Sequence, residues 1–582
     1  MKGFYDRILK IDLSRETFSI EPGDEKIQAT YLGGKGLASY LLCTLNPKGV
    51  DPLTPENCLI YATGPVAGGS IWGSSRYGVF TKSPQTGFYS ESYSGGKVPE
   101  AIDATGFDAI VIQGQSKKPS VLSIHPEGVD FHRAGDLWGR ETYETEDIAK
   151  ERFSLSKIRY RKTGAVAIGP AAENLVRFAV IENDYWRSAG RTGVGTVMGS
   201  KRIKAIVFQG DRKRSFFDET AVKNISKEMA RAFRDNPAVA AYKSMGTPMM
   251  VKLLNNAKGF PTRYWSAGYC DHWEQINADA LHDHCQVTPR ACAKCFMACG
   301  RLATVKEGRH KGLKIEGPEY ETIYTFGGLC MIDSIEEIAY LNDICDRLGM
   351  DTISAGNLCA FTIEAVKRGK TDYPIDYGDA DAIAGLLKKI AYRKGIGDVL
   401  ANGIKFASQT WGLEDIAVHV KGLEPAGYDP RALKGMGLAY ATSDRGACHL
   451  RATFYKPELA GLIDPGQIEG KAAMFVDYED RLTLFDTLIL CRFYRDMYPW
   501  ESLAKIIYSA CGIGAEKSEL QKIAANVSNI VRDFNLREGM LPEDEKLPPA
   551  FHRPLADTGE VITEDELNTM LDEYYHLRGW KK

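Results

Sequence analysis

The stretch KAIVFQGDRKRSFFDE, residues 204–219, is where the chain changes character. Its first half, KAIVFQG, is a β-branched run closed by a turn glycine, as is DAIVIQG at 108–114. Its second half, GDRKRSFFDE, reads as a polar linker. Before it, residues 1 to 211 are β-rich, with glycine clusters at YLGGKG, TGPVAGGS, SYSGGK and GRTGVGTVMGS. The opening MKGFYDRILKIDLSRETFSIEP alternates apolar and polar residues around a polar turn, the pattern of a hairpin. After it the period turns helical. DSIEEIAYLNDICDRLGMD (333–351) is the best marked helix. Ser334 caps it, Glu337 completes an S-x-x-E box, Gly349 stops it, and Ile335, Ile338, Leu341, Cys345 and Leu348 line one face. A further helical block runs from about 467 to 535. The class is therefore α+β, with sheets first and helices after.

Composition narrows the functions. At 582 residues the chain exceeds a single core. Its 44% apolar and 26% charged content is that of a globular protein. A net charge of −3 gives no footprint for nucleic acid or for an anionic membrane. The N-terminus lacks the apolar run of a signal peptide, and no stretch has the length of a membrane span, so a cytoplasmic location is expected. Thirteen cysteines in such a chain should be reduced, which favours metal ligation over disulfides.

Three of those cysteines fall in ACAKCFMACG (291–300): Cys292, Cys295 and Cys299, a C-x2-C-x3-C run. A structural zinc usually shows two paired ligand sets, and only one cluster exists here. A four-iron cluster wants four thiolates, commonly three close together and one distant, and Cys491 in FDTLILCRFY is a suitable fourth. Spacing favours iron–sulfur and leaves zinc open.

The other polar groups are ambiguous singly. GRTGVGTVMG looks like a dinucleotide loop, but KRIKAIVFQG after it reads as a strand where a helix is required. Arg76, Arg187, Arg191 and Lys201 adjoin glycine clusters, where N–H groups and cations together suit phosphate. Asp346 lies in the last turn of its helix, which the dipole disfavours by about 0.3–1 kcal/mol. It reads either as a solvated aspartate or as an acceptor for the N–H edge of a heterocycle; Asp486 could play the same part. Glu321 in GPEYET and His449 in SDRGACHLR are, taken alone, more often a solvated glutamate and a core histidine.

In order along the chain stand YLGGKG, SSRYGVFTKSP, SGG, AGRTGVGTVMGSK, CAKCFMACG, GPEYET, DRLGMDTIS, DRGACH and DTLILC. This ordered set resembles the tungsten-containing aldehyde:ferredoxin oxidoreductase family over essentially the whole length. The resemblance implies three domains: a β-sheet base cradling a cofactor (1–211) and two mainly helical domains (212–425 and 426–582). It implies a tungsten, or molybdenum, ion held by two pterins whose phosphates are bridged by Mg2+, with a [4Fe-4S] cluster alongside at Cys292, Cys295, Cys299 and Cys491. Asp346 and Asp486 match the pterin-binding aspartates of a D-x-x-G-L-(C/D) pattern, together with Gly349 and Leu490. The second copy, DTLILC, has Ile489 in place of glycine. Arg76 and the segment Arg187, Ser188, Ala189, Gly190, Arg191 match phosphate-side positions. Tyr93, Ser94 and Gly95 stand where relatives often have asparagine first, so Tyr93 could serve magnesium only through its carbonyl. Glu321 and His449 match the acid and imidazole facing the metal.

The implied activity is oxidation of aldehydes to carboxylic acids, with electrons leaving through the cluster to ferredoxin or to electron-transfer subunits. One alternative is the benzoyl-CoA reductase branch, which should need a protein ligand on tungsten; Cys330 in GGLCMID is its candidate, or else a buried small residue. Another is a non-enzymatic iron–sulfur relay subunit, which leaves the aspartates and His449 unused. Some relatives dimerise through an iron held by E-x-x-H motifs. Here that motif occurs only at Glu307–His310 and Glu573–His576, outside the matching region. Self-association without a bridging iron, or assembly with partner subunits, is expected.

Overall fold

The computed structural model describes residues 1–155 and 159–581. Twelve strands build two six-stranded sheets. They are β1 (Arg7–Asp12), β2 (Thr17–Pro22), β3 (Leu59–Ala62), β4 (Tyr77–Lys82), β5 (Tyr89–Ser94), β6 (Ala109–Gln113), β7 (Ser120–His125), β8 (Gly128–Arg133), β9 (Lys162–Ala167), β10 (Ile181–Asn183), β11 (Arg187–Ala189) and β12 (Ile203–Gly210). The first sheet has the order β2-β1-β6-β3-β4-β5 and the second β11-β10-β9-β12-β7-β8. Pairing is antiparallel except for β1 with β6 and β7 with β12.

Period-two alternation assigns each strand face to a layer. Leu9, Ile11, Leu59, Tyr61, Ile110 and Ile112 of the first sheet share one core with Leu122, Ile124, Val166, Ile206 and Phe208 of the second. The Tyr61 and Phe208 rings bridge the sheets at 5.6 Å. The intervening residues Ile8, Ile60, Ala62 and Val111 turn outward onto Leu37, Leu41 and Leu42 of the helix Gly34–Leu45. On the far side Val121, Ala165 and Val207 meet Leu137 and Ala149, the latter on the helix Thr142–Phe153. Two face-packed sheets thus carry a helical layer outside each.

The rest is mainly helical, with one small antiparallel sheet, β13 (Cys285–Arg290), β14 (Gly300–Val305) and β15 (Lys314–Glu316), framing the cysteine loop. The helix Ile335–Leu348 forms where expected, and Ser334 Oγ accepts the Glu337 N–H at 3.3 Å. The reciprocal half of the capping box is not made, because the Glu337 carboxylate is drawn to Arg309 and to His310 at 2.6 and 3.0 Å. The later block holds the helices Lys471–Leu488, Trp500–Cys511 and Lys517–Arg537.

Two local expectations are corrected. GDRKRSFFDE is not wholly a solvated linker: Arg214 is buried, holding Asp103 at 2.8 Å and Asp108 at 2.6 Å. The glycine run does enter a short helix, Val194–Ser200, before β12. Its glycines are there for closeness, since a Cβ on Gly195 or Gly199 would lie 2.2 Å from the Val180 or Ala172 carbonyl.

Candidate active site

The edge strands of the two sheets meet. Ser92 Oγ on β5 donates to the Gly190 carbonyl at 2.5 Å, and Ser94 Oγ donates to Asn183 Oδ1 at 2.8 Å. Between these edges and the helices opens a cavity of about 330 Å³. Arg76, Tyr93, Ser94, Gly95, Arg187, Ser188 and Gly190 line its sheet side. Cys292, Cys295, Cys299, Cys491, Glu321 and Asp346 line the other. Thus four thiols from positions about 200 residues apart in sequence reach one wall. Ala189, Arg191, Gly349, Asp486, Leu490 and His449 are not among the cavity's lining residues.

The cysteine loop is moulded onto its surroundings. Gly96 N–H donates to Cys292 Sγ at 3.2 Å, and Tyr494 Oη donates to Cys295 Sγ at 3.4 Å. Cys491 N–H donates to the Gly73 carbonyl at 2.9 Å. A Cβ on Gly95 would come within 2.9 Å of Cys292 Sγ, so a side chain there would have to displace the thiol. All thirteen cysteines carry free thiols. Among the described residues no three His, Cys, Asp or Glu side chains are drawn in closely enough to hold a single metal ion. The four thiols of Cys292, Cys295, Cys299 and Cys491 border the one cavity.

The two aspartates are set alike by the backbone. Asp346 and Asp486 each sit three residues before a left-handed helix stop, Gly349 at φ +77° and Ile489 at φ +56°. In both copies the stop residue's N–H bonds back to the aspartate's own carbonyl at 3.3 Å. The absent glycine therefore does not abolish the turn. A β-branched residue there costs about 1–2 kcal/mol, offset by burial of Ile489 at 1% exposure against Gly34.

Their electrostatics differ. Burial, and then the Asp343 carboxylate, push Asp346 well above the usual carboxylate range, while Asn342 Nδ2 donates to it at 2.7 Å. It is no solvated aspartate: it is buried, and its surroundings disfavour the charged form. Burial would also raise Asp486, but Arg492 and Arg451, at 2.5 and 3.1 Å, with Lys35, outweigh it and hold that carboxylate below its ordinary range. The arginines of this clamp were not singled out from sequence, although Arg451 closes the SDRGACHLR string and Arg492 follows Cys491 directly.

Glu321 enters from the short helix Tyr320–Ile323, which runs on into a π-helical turn, Tyr324–Leu329. Such turns recur at functional sites. The Gly427 N–H donates to Glu321 Oε2 at 3.0 Å, and Oε1 faces His449 Nε2 at 3.5 Å. Burial pushes the Glu321 carboxyl up to about 7, against the pull of the Gly427 N–H and Arg191. Burial, and then Arg191, Arg445 and Arg492, hold the His449 imidazole well below its usual value, so it is neutral. Glu321 Oε1 and His449 Nδ1 are buried without a hydrogen-bond partner, as are Arg191 Nε and Arg451 Nη2. Orphaned buried polar atoms are costly and point to a missing polar guest.

Lys201 is not at the cavity: it donates to the Pro55 and Gly114 carbonyls at 3.0 and 3.2 Å. Arg191 donates from Nη1 and Nη2 to the Ala447 and Glu424 carbonyls, which leaves its Nε without a hydrogen bond. Cys330 is fully buried, 3.4 Å from the Gly356 carbonyl, and does not line the cavity.

Comparison with known families decides the relationship. The family model for the aldehyde ferredoxin oxidoreductase N-terminal domain matches residues 8–210, and that for domains 2 and 3 matches residues 224–582. The chain belongs to the aldehyde ferredoxin oxidoreductase family. It is 36% identical over 598 residues to the tungsten-containing aldehyde ferredoxin oxidoreductase of Thermococcus kodakarensis, covering all of this chain and 97% of that one. It is 34% identical over 597 residues to the enzyme of the same name from Pyrococcus furiosus, with the same coverage. Among solved structures, the active-site complex BamBC of benzoyl coenzyme A reductase with 1,5-dienoyl-CoA superposes with a TM-score of 0.84. That likeness covers all of this chain and 95% of that chain at 24% identity, and it shows the fold alone. No helix among the described residues is long and apolar enough to cross a membrane.

Proposed function

We propose that this member of the aldehyde ferredoxin oxidoreductase family oxidises aldehydes to carboxylic acids at a tungsten bis-pterin centre. Electrons leave through a [4Fe-4S] cluster to ferredoxin or a similar low-potential acceptor in the cytoplasm. The observation that carries this reading is the Glu321–His449 pair, 3.5 Å apart, each with an unsatisfied buried atom, beside a cavity walled by four thiols. Residues 1–211 would form the base, with 212–425 and 426–582 as the covering domains.

Cys292, Cys295, Cys299 and Cys491 would hold the cluster. Asp346 and Asp486 would meet the two pterins, and Arg76 and the 187–191 segment their phosphates, with the Tyr93 carbonyl available to an accompanying Mg2+. Bound tungsten supplies the two-electron redox change. The net conversion is aldehyde plus water to carboxylic acid, two protons and two electrons. In it Glu321 takes the proton released as water adds to the carbonyl carbon. A neutral His449 keeps one N–H to donate to the carbonyl oxygen as charge gathers there. Residues around the pair exclude bulk water, which strengthens both interactions. The benzoyl-CoA reductase reading is less well supported, because Cys330 is packed away from the cavity.

Elemental analysis combined with a panel of aldehydes and a viologen dye tests the proposal. Tungsten and iron together with dye reduction are expected; iron alone, without tungsten, fits only the relay reading. His449→Ala should lower kcat/KM by about 10²–10³-fold at unchanged metal content. Any native assembly should carry the iron of one cluster per chain and none shared between copies; a bridging iron would refute that expectation.

A further inference from the structure

A second concavity lies on the outer side of the cysteine loop. Its wall includes Gly68, Gly69 and Lys294, the last standing between Cys292 and Cys295. Lys294 Nζ donates to the Gly68 carbonyl at 2.8 Å, and Gly73 N–H donates to the Lys294 carbonyl at 3.3 Å. Gly73, Cys292 and Cys295 line the inner cavity. One thin double loop thus separates the thiols from this outer basin.

The basin is strongly basic. Arg161, Lys162, Arg212, Lys213, Lys223 and Lys294 surround it, against Asp211 and Glu219. Arg214 and Asp103 also line it but satisfy each other at 2.8 Å. Lys162 and Lys294 share Glu100, each at 3.6 Å. Arg161, Arg212, Lys213 and Lys223 are exposed and make no ion pair with the described residues. The whole chain is net −3, so this excess of cations is local. A single-sign concave patch raises the encounter rate with an oppositely charged partner.

We infer that this basin is the docking surface for an acidic electron-acceptor protein, seated directly over the loop that carries the cluster cysteines. The inference rests on the proposed electron route, and it names where the electrons leave the chain.

The test uses the full-length holoenzyme and an acidic ferredoxin as probe, with binding measured separately from turnover. Arg212→Glu, Lys213→Glu and Lys223→Glu together should raise both Kd and KM for ferredoxin by roughly tenfold or more at low salt. Wild-type affinity should fall as salt screens the patch. Turnover with viologen, a cationic dye that needs no acidic-protein site, should be unchanged, which also reports intact folding. The control is Lys117→Glu with Lys118→Glu. Register places Lys162 opposite Gly210 at one end of β12 and Ser120 opposite Ile203 at the other. Eight strand residues put these ends roughly 23 Å apart.

Equal weakening by both sets of variants, an affinity indifferent to salt, or absence of ferredoxin binding to the wild type would overturn the docking site. So would binding of inorganic phosphate at the basin with no effect of the triple variant on ferredoxin. If the wild type oxidises no aldehyde with viologen, the proposed activity fails, while the binding measurement still decides the surface.

Discussion

Glu321→Gln should slow aldehyde turnover by roughly 10²–10⁴-fold while leaving tungsten and iron contents unchanged. The substitution preserves the size of the side chain and its bond from the Gly427 N–H, 3.0 Å away, but the amide cannot take a proton. Because the Glu321 carboxyl is pushed up to about 7, its basic form is the minor species below that pH. For the wild type, kcat/KM should therefore fall about tenfold per pH unit on the acid side of 7 and level off above it. The variant should lose that acid limb along with the rate. The neutral His449 contributes no competing limb near 7, since burial and three arginines keep it deprotonated there. A pH profile of Glu321→Gln parallel to that of the wild type would assign the limb to another group and withdraw the base from Glu321.

What could be read from residues alone follows from range. Cysteine spacing, strand alternation and the helix signals of 333–351 are local, and each corresponds to a feature of the fold. Cys491 and Glu321 could be named through their strings, but their meeting at one cavity wall depends on long-range packing that no local period encodes. The misreadings share one cause: composition reports polarity, whereas tertiary pairing decides burial. Arg214 sits in a polar run and is buried because Asp103 and Asp108 wait for it. Lys201 adjoins glycines and yet serves two backbone carbonyls. Ile489 looked like a break in the second aspartate motif, yet the turn forms with the same hydrogen bond as at Gly349. The opposite electrostatic surroundings of Asp346 and Asp486 were invisible, because Asn342 and Asp343 surround one while Arg451 and Arg492 surround the other.

Cys491→Ala should abolish dye-linked aldehyde oxidation and remove iron together. The thiol arrives at the cavity on backbone fixed on both sides: Ile489 turns the chain, and the Cys491 N–H is tied to the Gly73 carbonyl at 2.9 Å. Alanine can keep that backbone, so loss of function would report loss of a ligand rather than of the fold. A four-iron cluster needs a thiolate at each iron, and three cysteines from one loop leave the fourth corner open to solvent and oxidation. Cys285→Ala is the matched control, since Cys285 starts β13 in the core and does not line the cavity. It should keep its iron and its activity, at a modest cost in stability. Tungsten should persist in Cys491→Ala, because the pterins rather than this thiol would hold it. The two metals should then separate in elemental analysis, with iron lost and tungsten retained. Full iron in the Cys491 variant would hand the fourth position to another residue. Loss of iron in both variants would instead show that the loop tolerates no change, and would leave ligand identity to spectroscopy of the Cys292, Cys295 and Cys299 serine variants.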